Sequence, residues 1–142
     1  MKKSLIGFSA LVLMLGALTA QAEVHFKDLS FKDAQAQAKK EHKIIMIDYY
    51  TNWCGWCKRL DKDVYAKDEV GFYADSNIVS LKLNAEQGEG VTLARDSKIM
   101  GYPTIIFYNE NGEEIHRQVG YQVAKDFLVT LHTAVSKNKH AN

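Results

Sequence analysis

The chain has 142 residues, 46% hydrophobic and 25% charged, with nine glycines and one proline. That balance belongs to one ordinary globular domain and excludes a disordered chain, a collagen-like chain or a multidomain assembly. Eighteen basic residues against seventeen acidic ones give a formal charge of +1, which offers no surplus to hold a phosphate backbone, so nucleic acid is not an expected partner.

Met1 to Ala22 differ in kind from the rest of the chain. Lys2 and Lys3 precede an apolar stretch from Leu5 to Leu18, and Ala20-Gln21-Ala22 has the small-x-small form that a signal peptidase accepts. Residues 1–22 are read as a cleaved signal peptide and not as a retained anchor, because Gly7, Ser9, Gly16 and Thr19 interrupt a stretch already short for a bilayer. No cysteine near the cleavage point supports a lipid-modified N-terminus. Residues 23–142 form the mature domain, long enough to bury roughly two thirds of its unfolded surface.

In chain order, Ser30 with Asp33 has a capping-box form and opens an alanine-rich helix to His42. Lys43 to Tyr50 is a short β-branched apolar run, a strand buried on both faces and interrupted by Asp48. Thr51-Asn52-Trp53 then leads to Cys54-Gly55-Trp56-Cys57, with Lys58-Arg59-Leu60 continuing as helix. Asp68 to Ala74 reads as a further helix, Asn77 to Asn84 as a second central strand, and Ala85 to Gly90 as a polar loop. Val91 to Lys98 is helical, and Gly101-Tyr102-Pro103 breaks the chain before a third strand, Thr104 to Tyr108. Asn111-Gly112 signals a hairpin to Glu113–Val119. Val123 to Ser136 closes the domain as an amphipathic helix, leaving a loose tail from Lys137. This alternation gives an α/β domain with a mixed central sheet and helices on both faces.

Cys54 and Cys57 are the only cysteines. As a structural staple the pair is weak: a four-residue loop gives about 1.9 kcal/mol by chain entropy, against about 3 for fifteen residues. As chemistry it is strong. A thiol at a helix N-terminus meets free N–H groups and the helix dipole, which favour the thiolate. Cys54 is the expected nucleophile; it forms a mixed disulfide that Cys57, one turn later, resolves. Zinc would need two more ligands, and His25, His42, His116, His132 and His140 are scattered without paired spacing. Neither a metal nor a cofactor is expected.

The run Ile47-Asp48-Tyr49-Tyr50-Thr51-Asn52-Trp53-Cys54-Gly55-Trp56-Cys57-Lys58 resembles the active-site region of the thioredoxin superfamily. Gly101-Tyr102-Pro103-Thr104 resembles its cis-proline loop, and Lys82-Leu83-Asn84 its lysine-bearing central strand. Within that superfamily the chain is most similar to exported thioredoxin-like domains related to the soluble domain of bacterial thiol:disulfide interchange proteins. The resemblance implies a thioredoxin-like fold with a cis bond before Pro103, which sets the Tyr102 backbone to pair with an extended substrate. It also implies that Asp48 lies behind Cys57 with Lys82 near it, so that Asp48 takes the Cys57 proton during resolution. A solvent-facing strand-end aspartate is the alternative. Trp53 covers the thiols. Trp56 stands where thioredoxin has proline and the strong oxidants have histidine, and an indole lends no positive charge to the Cys54 thiolate.

The expected function is therefore an exported, periplasmic thiol:disulfide oxidoreductase that reduces protein disulfides and draws electrons from a membrane thiol-transfer protein. It is expected to be monomeric and to have no stable membrane association after cleavage. A disulfide oxidase or isomerase is the alternative within the enzyme class, and a non-catalytic thioredoxin-fold assembly factor is the alternative outside it.

Overall fold

A computed structural model describes residues 22–140. Of the expected signal peptide only Ala22 falls within these residues. Helix α1 (Phe31–Glu41) starts where Ser30 turns extended and its Oγ accepts the Asp33 N–H at 3.1 Å. It stops at His42, in left-handed backbone at φ 55°. Its buried residues, Ala34 and Ala38, carry only a methyl group, which lets the helix lie close on the sheet.

The sheet has four strands in the order β2-β1-β3-β4. Strand β1 (Ile44–Tyr50) pairs in parallel with β2 (Ile78–Asn84) and antiparallel with β3 (Thr104–Tyr108), which pairs antiparallel with β4 (Glu114–Val119). Every residue of β1 but the last is buried, as a strand with helices on both faces requires. Because strand side chains alternate, β1 divides its residues between two cores. Ile44 and Met46 pack with Leu60, Val64, Phe127 and Leu131, whereas Ile45, Ile47 and Tyr49 pack with Ala34, Ala38 and Ala94. Each fully buried aliphatic or aromatic side chain contributes about 1.5–3 kcal/mol. Asp48 has the parity of Ile44 and Met46 and does not interrupt the strand; it keeps register between Lys82 and Ile105.

Helix α2 (Gly55–Leu60) runs on as a π-helical turn, Asp61–Tyr65, where the sequence reading carried the helix only to Leu60. Helix α3 (Asp68–Asn77) continues past the expected end at Ala74 and feeds β2 directly. Helix α4 (Gly88–Asp96) begins inside the stretch read as a loop. Its glycines are poor helix formers, but a Cβ at Gly90 would stand 2.1 Å from the Asn84 carbonyl oxygen, so close packing against the end of β2 overrides propensity. The hairpin turn follows the Asn-Gly signal, with Gly112 at φ 84° and Asn109 Oδ1 accepting the N–H groups of Asn111 and Glu113. Helix α5 (Ala124–His140) takes in Lys137 to His140 of the expected loose tail, whose last two residues lie outside the described ones, and its inner face is anchored by Phe127, Leu131 and Ala134.

Candidate active site

Chain direction reverses between β1 and α2, and this turn sets both cysteines at one end of the sheet. Cys54 is the N-cap of α2: its Sγ accepts the Cys57 N–H at 3.1 Å, and its own N–H donates to the Thr51 carbonyl. The two are joined in a disulfide with Cα atoms 5.3 Å apart. Both residues are buried, at 5% and 2% exposure, Cys54 slightly less so. An N-cap sulfur facing unpaired N–H groups is where negative charge is stabilised.

Around the disulfide stands an aromatic rim. Trp53 and Trp56 are more than half exposed. The Trp53 indole N–H donates to Glu86 Oε1 at 3.0 Å, and its ring meets Tyr102 edge-on with centroids 5.9 Å apart. Trp56 packs on Tyr121 at 5.5 Å, and the Arg59 guanidinium lies over both rings. Trp56, Tyr102, Gly120 and Tyr121 line a shallow apolar pocket beside the thiols. The Tyr102–Pro103 peptide bond is cis. The loop is held by the Thr104 hydroxyl on the Gly101 carbonyl at 2.7 Å and by the Gly120 N–H on the Pro103 carbonyl at 2.8 Å.

Beneath the rim, on the α2 face of β1, Asp48 is completely buried and neither carboxylate oxygen has a hydrogen-bond partner. Lys82 Nζ, on the adjacent strand, lies 3.4 Å from Oδ2 and also pairs with Asp61 in the π-helical turn. Burial pushes the Asp48 carboxyl up to about 6 against the pull of the Lys82 charge, with Asp61 adding to the rise. The Tyr65 hydroxyl is also buried without a partner, and burial together with the charges of Asp48 and Asp61 holds its phenol well above the ordinary range. A carboxyl near 6 exchanges its proton at the pH where a thiol must lose one.

Residues 31–134 match the sequence pattern of a family described as a thioredoxin-like domain. The chain belongs to the thioredoxin-like family. Among solved structures, a candidate disulphide-isomerase from Bacteroides thetaiotaomicron is 39% identical, covers 82% of this chain and 97% of its own, and superposes with a TM-score of 0.72. A thioredoxin from Thermus thermophilus, 22% identical with a TM-score of 0.74 over 84% of this chain and 92% of its own, shares the fold. The thiol:disulfide interchange protein DsbD of Citrobacter koseri is 35% identical over 123 residues, which is 82% of this chain and 22% of that protein. This chain thus spans about a fifth of the length of the curated relatives it matches. Family, fold and the disulfide-joined Cys54–Cys57 pair are those of the thioredoxin-like thiol:disulfide oxidoreductase family.

Within this thioredoxin-like site the structure brings together the buried Cys54, Cys57 and Pro103 with Trp53, Trp56 and Tyr102 at the rim, and pairs Asp48 with Lys82 on the α2 face of β1. Sequence reasoning missed Glu86, Tyr121, Asp61 and Tyr65. Only Asp61 carried a usable signal, since it stands four residues after Cys57 and so on the same helical face.

Proposed function

We propose that the protein is an exported reductase of protein disulfides, working as a monomer in a bacterial periplasm after cleavage at Ala22. Cys54, as thiolate, attacks one sulfur of a substrate disulfide; a new S–S bond forms, and the departing substrate sulfur takes a proton. Cys57 then loses its proton to Asp48 and attacks Cys54 Sγ. The second substrate sulfur leaves, the substrate has gained two electrons, and the Cys54–Cys57 disulfide has formed. A membrane thiol-transfer protein restores the dithiol by the same exchange. Lys82 holds Asp48 in its ion pair, and the Tyr102 backbone beside Pro103, flanked by Trp53 and Trp56, receives an extended substrate segment.

The placement of the histidines is the observation that carries the direction. His25 pairs with Asp75, His42 caps α1, His116 stacks on Phe107, and His132 stacks on Tyr73. Among the described residues no imidazolium therefore stands at Cys54 to hold its thiolate, and the residue between the cysteines on that side is Trp56. A thiolate stabilised by the helix terminus alone gives a couple that donates electrons readily. Equilibration of the pair with glutathione tests this. The expected potential is nearer about −270 mV than about −120 mV, and a value above about −150 mV would reverse the assignment to oxidase.

A further inference from the structure

Ahead of α1, the segment from Glu23 to Lys27 is strapped to the body of the domain. The Val24 N–H donates to the Tyr65 carbonyl at 2.9 Å and the Lys27 N–H to the Ser80 carbonyl at 2.8 Å. His25 bonds Asp75 through both its backbone N–H and its ring, and Phe26 forms a parallel bridge with Ser80 of β2. The strap lies so near α3 that a Cβ at Gly71 would stand 2.7 Å from the Glu23 carbonyl carbon, too close for any side chain.

Phe26 uses this anchorage to reach the ion pair below the thiols. Its ring lies 5.3 Å from Lys82 Nζ, with Tyr50 at 5.3 Å and Tyr65 at 5.4 Å. Three aromatic rings and two carboxylates thus surround one ammonium. The Phe26 ring also meets Tyr65 edge-on at 5.0 Å. Solvent approaches Lys82 through a groove lined by Glu23, Val24 and Phe26 from the strap, Asp61, Tyr65 and Ala66 from the π-helical segment and its end, and Lys82 itself.

We infer that the strap belongs to the proton side of the reaction: Phe26 is a positioning residue that walls the Lys82 ammonium against Asp48 and keeps water from the carboxyl that receives the Cys57 proton. This rests on the proposed role of Asp48 as that acceptor. The groups facing the carboxyl are Lys82 from β2, Asp61 and Tyr65 from the π-helical turn, and, at the mouth of the groove, Glu23 of the strap. Lys82 lowers the affinity of Asp48 for its proton and Asp61 raises it, and entering water screens both. Burial is the larger cause, so opening the groove relieves it and returns Asp48 toward the ordinary carboxylate range.

The test titrates the Asp48 carboxyl by carbon NMR in the full chain, beside the pH dependence of mixed-disulfide resolution. Phe26→Ala is expected to lower the Asp48 midpoint by about one pH unit and to carry the acid limb of the resolution rate with it. Phe26→Leu, which keeps an apolar cover, should leave both in place. Where Phe26→Ala fails to fold, Phe26→Gln, polar and of similar reach, should give the same downward shift. An unmoved midpoint in the folded Ala or Gln variant overturns the inference, as does a shift in Leu equal to that in Gln. Asp48→Asn separates the two readings. If it leaves the acid limb unchanged, Asp48 is not the proton acceptor, while the carboxyl titration still decides whether Phe26 walls it.

Discussion

Asp48 and Tyr49 are neighbours on one strand, both fully buried and both polar at the tip, yet the two faces of the sheet treat them in opposite ways. The Tyr49 hydroxyl meets that of Tyr108 at 3.1 Å, which in turn meets Ser97 Oγ at 3.1 Å, so on the α1 and α4 side a chain of hydroxyls satisfies each member. On the α2 side no such chain reaches Asp48, whose charged partner is the Lys82 ammonium 3.4 Å from Oδ2. A buried polar group placed for stability is given its partners. One left short of them is held at higher free energy in its charged form, which is what lets a carboxyl act as a base near neutral pH.

The largest expected effect lies at the thiols above Asp48. Cys57→Ser should abolish turnover and accumulate mixed disulfides on Cys54, while Cys54→Ser should trap none; non-reducing electrophoresis after acid quench reads both, and trapping on Cys57 alone would exchange their roles. Asp48→Asn comes next. Formation of the mixed disulfide should stay within a factor of about three, and its resolution should slow by about a hundredfold, because an amide cannot accept the Cys57 proton. Rapid mixing at neutral pH, with the two steps followed separately, checks this, and equal resolution rates would assign the proton to water.

The same substitution should stabilise the fold. Asp48 is raised from 3.8 unfolded to about 6 folded, so the native state binds the extra proton between these values. The stability tied to that proton is complete below about pH 4 and is lost as pH rises through 6, a loss of about 3 kcal/mol at most. Asp48→Asn should therefore gain stability over the parent at pH 7, less whatever Lys82 loses with its partner, and the gain should vanish near pH 4 in denaturant titrations. A constant gain across pH would separate Asp48 from the titration. The smallest effect belongs to the other face. Tyr49→Phe removes one hydroxyl from a chain in which Tyr108 still bonds Ser97, so it should cost about 1 kcal/mol and leave turnover unchanged. A change in the resolution rate would mean that the two faces are coupled.

Much of this was legible because the chemistry is written locally. The two cysteines three apart after a β-branched run, the one proline before another such run, and a carboxylate inside apolar sequence each stand out against their neighbours. The helix–strand alternation gave the layers for the same reason. The groups that tune the site were less legible. Lys82 was expected near Asp48 through the resemblance alone, and Asp61 had only its helical spacing from Cys57, but nothing in the spacing of the segments says that Phe26 and Tyr65 will meet them. Glu86 and Tyr121 reach Trp53 and Trp56 in the same way, across the end of the sheet. Helix α4 was misplaced because Gly88 and Gly90 read as a turn until the backbone of Asn84 is seen beside them.

The bond from the Gly120 N–H to the Pro103 carbonyl has a consequence for assembly. Cys54 rides on the first half of the chain, but the Tyr102–Pro103 loop, proposed to present a partner strand to it, is moored to the residue just after β4, in the second half. The motif Cys54-Gly55-Trp56-Cys57 exists as soon as it is translated, whereas aim depends on a contact with residue 120. A chain still threading out with only its first sixty residues would carry a reactive pair with nothing opposite to choose its target. If the loop presents a substrate strand as proposed, aim is complete only once Gly120 is in place, and the stretch of chain from Cys57 to Gly120 measures the delay.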